Sequence, residues 1–192
     1  MKILDLLETP LPDDWDKSKF KRKETSFKQM VAYARERAKL AGRGSSRVAV
    51  VIPYEGRDTV LKVAMNKKGL LQNYEEVKIL QDGHTSITIP LIDYDEENGD
   101  DITWIHVEKA DKITKRQLDQ AFGADIVDVV RFIGTNAIPR SGTFSGSLPD
   151  EVFDNELYGE LETLIADYQI KGYMDFARPA NRGMYKGAPV TI

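Results

Sequence analysis

Lys62 stands inside an apolar run. Thr59, Val60, Leu61, Val63 and Ala64 around it read as a β-strand. An ammonium in such a strand has two outlets. Its stem can reach water along a sheet edge, or the group can face inward and take an acid as partner. Unpaired burial is costly, so the inward placement requires a nearby carboxylate. The helix-like segment that follows offers two, Glu75 and Glu76, and Glu76 is the better placed on pattern. The chemistry this predicts is a buried ion pair bridging a strand and a helix. Other reactive residue types are sparse. There is no cysteine, which excludes disulfides, thiol nucleophiles and cysteine–zinc sites, and the two histidines, His84 and His106, are too few and too far apart for a metal cluster. Asp175 and Asn181, in a stretch containing Pro179 and Gly183, are on their own turn formers.

The elements that must position these residues fit one domain or two small lobes sharing a core, since the chain has 192 residues. Hydrophobic residues at 41% and charged residues at 30% are the balance of a soluble globular protein. No stretch approaches the roughly 18 apolar residues of a membrane span. The start, MKILDLLETPLPDDWD, is acidic and lacks the apolar core of a secretion signal. Cytoplasm is the expected compartment. The net charge of −4 hides an asymmetry: from Lys17 to Arg47 there are eleven Lys or Arg against two acids. Such a block is a solvated face or a contact surface for an acidic protein or nucleic acid, with Lys28, Arg35, Arg37 and Lys39 as candidate contacts. No zinc finger, aromatic RNA-binding signature or helix-turn-helix accompanies it, so nucleic acid is weakly supported as a partner.

Residues 1–24, with Pro10 and Pro12, read as an extended or loosely docked arm. Ser26 to Gln29 is a capping-box pattern. Phe27, Met30, Val31, Ala34, Ala38 and Ala41 then follow helical spacing until Gly42. Two strands joined at Glu55-Gly56 come next, then a helix from about Asn73 to Leu80, ended by Asp82-Gly83. A strand over Ser86–Tyr94, an acidic turn and a strand over Ile102–Val107 complete a mostly antiparallel sheet. Helices are predicted within KRQLDQAF and DIVDVVRFIG, a loop over Arg140–Pro149, and one helix over Asp150–Tyr168 with Phe153, Leu157, Leu161, Leu164, Ile165 and Tyr168 as its buried stripe. The last twenty residues read as a loop and a short hairpin. The class is α+β.

The order strand lysine, helix glutamate, two strands, polar connector, helical lobe resembles the protein kinases. VLKVAMNKKGLLQNYEE is similar to the segment VLKxAxNxKGxxQNxxE of small kinase-like proteins of tailed bacteriophages, with Lys62 and Glu76 on its two motif positions. The resemblance spans roughly Gly42 to Ile192. It implies a kinase-like antiparallel N-lobe with one helix (residues 25–110, including the preceding basic helix) and a reduced helical C-lobe (residues 111–192). It further implies that Lys62 holds nucleotide phosphates and that Glu76 positions it. GRGSSR, with Gly44, Ser45 and Ser46, falls at the glycine-rich phosphate cover but departs from G-x-G-x-x-G-x-V. Glu108 and Ala110, in WIHVEKADKIT, would present main chain to an adenine. DFARPANRG resembles the catalytic loop, with Asp175 as the acceptor of the substrate proton and Asn181 as a magnesium ligand, at a spacing of six rather than five and with Met174 where arginine is usual.

The same resemblance implies an Asp-x-Gly magnesium ligand after the final strand, and the sequence reaches Ile192 without it. ATP and magnesium are thus candidate cofactors, with transfer in question. Three functions follow as expectations: a kinase-like binding module for a host or phage protein, able to take nucleotide; an active phosphotransferase on a host protein; and a virion-associated protein. The first is preferred, located in the cytoplasm of the infected cell.

Overall fold

The computed structural model describes residues 11–12, 14–82, 86–139 and 141–192. The first ten residues of the expected arm, the expected helix stop Gly83, His84 and Arg140 lie outside them. The class is α+β. The chain divides into two units, one of Met1–Lys78 with Pro90–Lys109, the other of Ile79–Ile89 with Ala110–Ile192.

The first unit is built on a five-stranded antiparallel sheet with strand order β1-β2-β3-β5-β4. Its strands are β1 (Lys39–Arg43), β2 (Arg47–Tyr54), β3 (Arg57–Ala64), β4 (Leu91–Tyr94) and β5 (Trp104–Glu108). Glu55 and Gly56 join β2 to β3, both with positive φ, the two-residue turn whose twist matches the flanking strands. Val48, Val50 and Ile52 of β2 and Leu61 and Val63 of β3 alternate onto one buried face. Against it pack Met30, Tyr33 and Ala34 of α1 (Phe27–Arg37). The predicted capping box is present, with Ser26 and Gln29 exchanging their bonds at the start of α1.

Two expectations are corrected here. The helix does not run to Ala41: Ala38 is extended, and Lys39–Arg43 pairs with β2 as an exposed edge strand. Ala38 and Ala41 are small enough to suit either period, and pairing with the sheet edge decides the matter. The arm is not loosely docked where it is described. Leu11, Trp15 and Phe20 are buried in the same core, with Trp15 and Phe20 stacked and both edge-on to Tyr33. The Phe20 carbonyl accepts from Asn98 Nδ2 and Thr103 Oγ1, which fastens the arm to the β4–β5 connection.

α2 (Lys67–Gln81) begins earlier than the predicted Asn73, because Asn66 Oδ1 accepts from Gly69 N at its first turn. The strand expected from Ser86 is shorter, since Ser86–Ile87 form a turn before β4 starts at Leu91.

The second unit holds α3 (Lys115–Phe122), α4 (Ile126–Ala137), α5 (Asp150–Phe153) and α6 (Glu156–Asp167). It also holds a three-stranded sheet of β6 (Asp111–Lys112), β7 (Arg182–Tyr185) and β8 (Ala188–Thr191), the last two forming the expected hairpin. Leu118, Phe122, Ile126, Val129, Val130, Ile133, Leu161, Leu164 and Ile165 make its core. The single helix predicted over Asp150–Tyr168 is broken at Asp154–Asn155, where Asn155 Oδ1 accepts from Leu157 N and caps α6. The break turns Phe153 outward, at 45% exposure, while Val152 and Tyr158 take buried places.

Candidate functional site

Lys62 lies on the face of β3 opposite the buried Leu61 and Val63. On β2 the residue paired with it is Ala49, so Arg47, two residues earlier, is its diagonal neighbour on that same face. From α2, Glu76 comes down between the two. Lys62 Nζ donates to Glu76 Oε1 at 2.5 Å, and Arg47 Nη1 donates to Glu76 Oε2. The side chains of Lys62, Glu76 and Arg47 are 9%, 18% and 22% exposed. Glu75 is exposed.

Further bonds brace this triad. Arg47 Nη1 also donates to Asn73 Oδ1 at 3.2 Å, and Asn73 Nδ2 donates to the Ile102 carbonyl at 3.0 Å, one helical turn before Glu76. The loop between β1 and β2 is fastened to the same helix start. Ser46 Oγ bonds Gln72 Oε1, Met65 N donates to the Ser46 carbonyl at 2.7 Å, and Asn66 Nδ2 donates to the Ser45 carbonyl at 3.1 Å. Gly69 permits this contact, because a Cβ there would sit 2.2 Å from the Ser46 carbonyl oxygen. Gly44 N donates to the Arg47 carbonyl at 2.9 Å. The expected phosphate-covering residues Gly44, Ser45 and Ser46 thus form a turn pinned to α2, with Ser46 buried.

Two cations and one carboxylate leave the cluster with a net positive charge. Burial would raise the Glu76 carboxyl, but Arg47 and then Lys62 outweigh it and bring it down to about 2. Burial pulls the Lys62 ammonium below the ordinary lysine value, with Glu76 opposing that and Arg47 adding to it. A fixed, partly solvent-reached surplus of positive charge can receive an anion.

The other expected residues belong to other elements. Glu108 closes β5 and takes Arg57 at 2.8 Å. Ala110 follows two residues later, and a Cβ built on Gly183 would meet its side chain at 2.4 Å. In the second unit, Asp175 sits in the 3-10 turn Tyr173–Ala177 with its side chain 62% exposed and 3.2 Å from Arg178 Nη1. Asn181 Nδ2 donates to the Asp175 carbonyl at 3.1 Å, so these two residues are brought together through the backbone. A magnesium ion here would find two oxygen donors, the Asn181 amide oxygen and an Asp175 carboxylate that already faces Arg178. Among the described residues no three His, Cys, Asp or Glu side chains gather as a metal site. Lys28 and Arg35 are exposed seven residues apart, on one face of α1; Arg37 lies over the Tyr33 ring at 4.0 Å, and Lys39 is exposed at the start of β1.

Sequence reasoning missed Arg47 and the buried Arg182. Arg182 is 1% exposed, donates Nε to the Phe176 carbonyl at 2.9 Å, and lies over the Phe122 and Phe176 rings. No family model matches the chain, and no curated protein is significantly similar to it. Among the described residues no helix is long and apolar enough to cross a membrane.

Proposed function

We propose that the chain is a reduced protein-kinase-like protein whose first unit holds the phosphates of a nucleotide at Lys62, and that it acts as a binding module rather than as a phosphotransferase. The observation that carries this reading is the Lys62–Glu76 ion pair, reached from β3 and α2 of a sheet ordered β1-β2-β3-β5-β4. A strand lysine paired with a helix glutamate is what a kinase-like phosphate site requires, and this supports the reading. ATP is the favoured ligand. The Asp175 carboxylate already facing Arg178 favours binding over metal-dependent transfer. The partner would be a host or phage protein with an acidic surface meeting Lys28, Arg35 and Lys39, in the cytoplasm of an infected cell. Fold alone does not decide among activities, so the test must separate them.

The test is a calorimetric titration with ATP alongside a transfer assay with γ-labelled ATP. Lys62→Ala should lose at least tenfold in ATP affinity. Asp175→Ala should bind within twofold of the wild type, and no label should be transferred. Label transfer that disappears in Asp175→Ala would instead establish the phosphotransferase. Absence of ATP binding by the wild type would remove the nucleotide reading altogether.

A further inference from the structure

The five-stranded sheet has two edges, and they differ. β4 is half-buried along its length, carries Asp93 and runs into Asp95, Glu96 and Glu97. β1 is exposed at all five residues, Lys39 to Arg43, and among the described residues it pairs only with β2. Its outer row of N–H and C=O groups is therefore a template for another strand. Leu40 lies across from the buried Val50 and shares its face, the one that packs on α1, yet Leu40 is 45% exposed. An apolar side chain on the outermost strand of the core face is a seat for one more apolar neighbour. The charge around it has one sign. Arg37, Lys39, Arg43 and Arg47 occur between Glu36 and Glu55, with no acid among them.

We propose that the outer edge of β1 receives an extended acidic segment of the partner protein as a sixth strand, with an apolar residue of that segment against Leu40. This rests on the reading of the chain as a binding module for an acidic partner, and it names the element and the form of the contact. Main-chain bonds supply the affinity of such an addition, and side chains select the partner. The selection here is by charge. Two copies of β1 laid antiparallel would set Lys39 of one beside Arg43 of the other, and like charges across a strand pair repel. An acidic strand turns the same charges into attraction, and the acids on and after β4 turn it away from the opposite edge. The bulge at Ala41, where the register shifts between Leu40 and Gly42, keeps the added segment short.

The probe is a blocked peptide of alternating valine and glutamate, titrated into the full chain and followed by the amide resonances and hydrogen exchange of residues 39–43. The wild type should bind it, and the amides of β1 that face away from β2 should exchange more slowly in the complex. The same peptide N-methylated along its centre keeps every charge but loses its strand-forming N–H groups. It should bind more weakly by roughly tenfold or more, the loss of one or two hydrogen bonds. The double variant Lys39→Glu, Arg43→Glu changes two exposed side chains and keeps the fold. It should lose the glutamate peptide and take a valine–lysine peptide instead. Equal binding of the two glutamate peptides, without slowed exchange in β1, would overturn strand addition and leave a charged contact surface. A dimer of the chain alone with the same slowed amides would give the edge to a second copy and overturn the proposal. No binding of either glutamate peptide would overturn the proposal and the acidic-partner reading together.

Discussion

Arg47 and Lys62 stand diagonally across β2 and β3, and both close on the carboxylate of Glu76 from α2. The relationship ties three elements together through one acid, so removing that acid should be felt throughout the first unit. Glu76→Gln leaves two largely buried cations without a counter-charge, and breaking such a pair costs on the order of 3 kcal/mol or more. Chemical denaturation should show that loss at pH 7, with Glu75→Gln within about 0.5 kcal/mol of the wild type as the surface control.

Acid should reproduce part of the effect. The Glu76 carboxyl is lowered from its ordinary 4.5 to about 2, so its contribution is fully present above pH 4.5 and lost as pH falls toward 2. Linkage puts that contribution at about 3 kcal/mol at most. In Arg47→Met the loss should begin at higher pH. Unfolding free energies measured from pH 6 to pH 2 check this, and superimposable profiles would contradict it.

The contact between the β1–β2 loop and α2 depends on the missing side chain of Gly69. Gly69→Ala would drive a methyl group to 2.2 Å from the Ser46 carbonyl oxygen and 3.0 Å from Ala64 Cα, both main-chain atoms that cannot turn aside. The overpacking should cost roughly 2–3 kcal/mol, outweighing the ~1 kcal/mol that alanine gains over glycine in a helix. Gly159→Ala on α6, with nothing within 4 Å of the new methyl, should gain up to about 1 kcal/mol. Melting temperatures of the two variants should move in opposite directions.

In the second unit, Arg182 has a guanidinium whose Nη1 and Nη2 have no hydrogen-bond partner among the described residues, and burial pushes it down to about 10. Replacing such a group with an apolar one of similar length removes its desolvation cost. Arg182→Met should therefore be neutral or stabilising by about 1 kcal/mol. A loss above about 1 kcal/mol in denaturant unfolding would mean that the Phe176 carbonyl bond and the two ring contacts dominate.

The sequence made some of this legible and hid the rest for physical reasons. An inward-facing Lys62 required an acid, and Glu76 sits where α2 can deliver it, so two of the three residues of the cluster could be read from the chain. Arg47 could not be read, because it stands at the end of a glycine-serine stretch and meets an acid 29 residues away. Only the β2–β3 register brings it beside Lys62. Ala38 and Ala41 followed helical spacing, but strand pairing of Lys39–Arg43 overrode it. In the second unit the apolar period ran on through Asp154 and Asn155, although an asparagine that can cap Leu157 N is itself a helix-start signal.

The account rests on Lys62 as a phosphate-holding cation, and the most direct measurement is the unfolding temperature with ATP in metal-free buffer, beside Lys62→Ala. A ligand at a hundredfold excess over its dissociation constant adds about 2.7 kcal/mol to the folded state, which for a chain of this size raises the midpoint by roughly 5–10 °C. The account predicts that rise in the wild type and its loss in a folded Lys62→Ala. No rise in the wild type, or an equal rise in the variant, would contradict it.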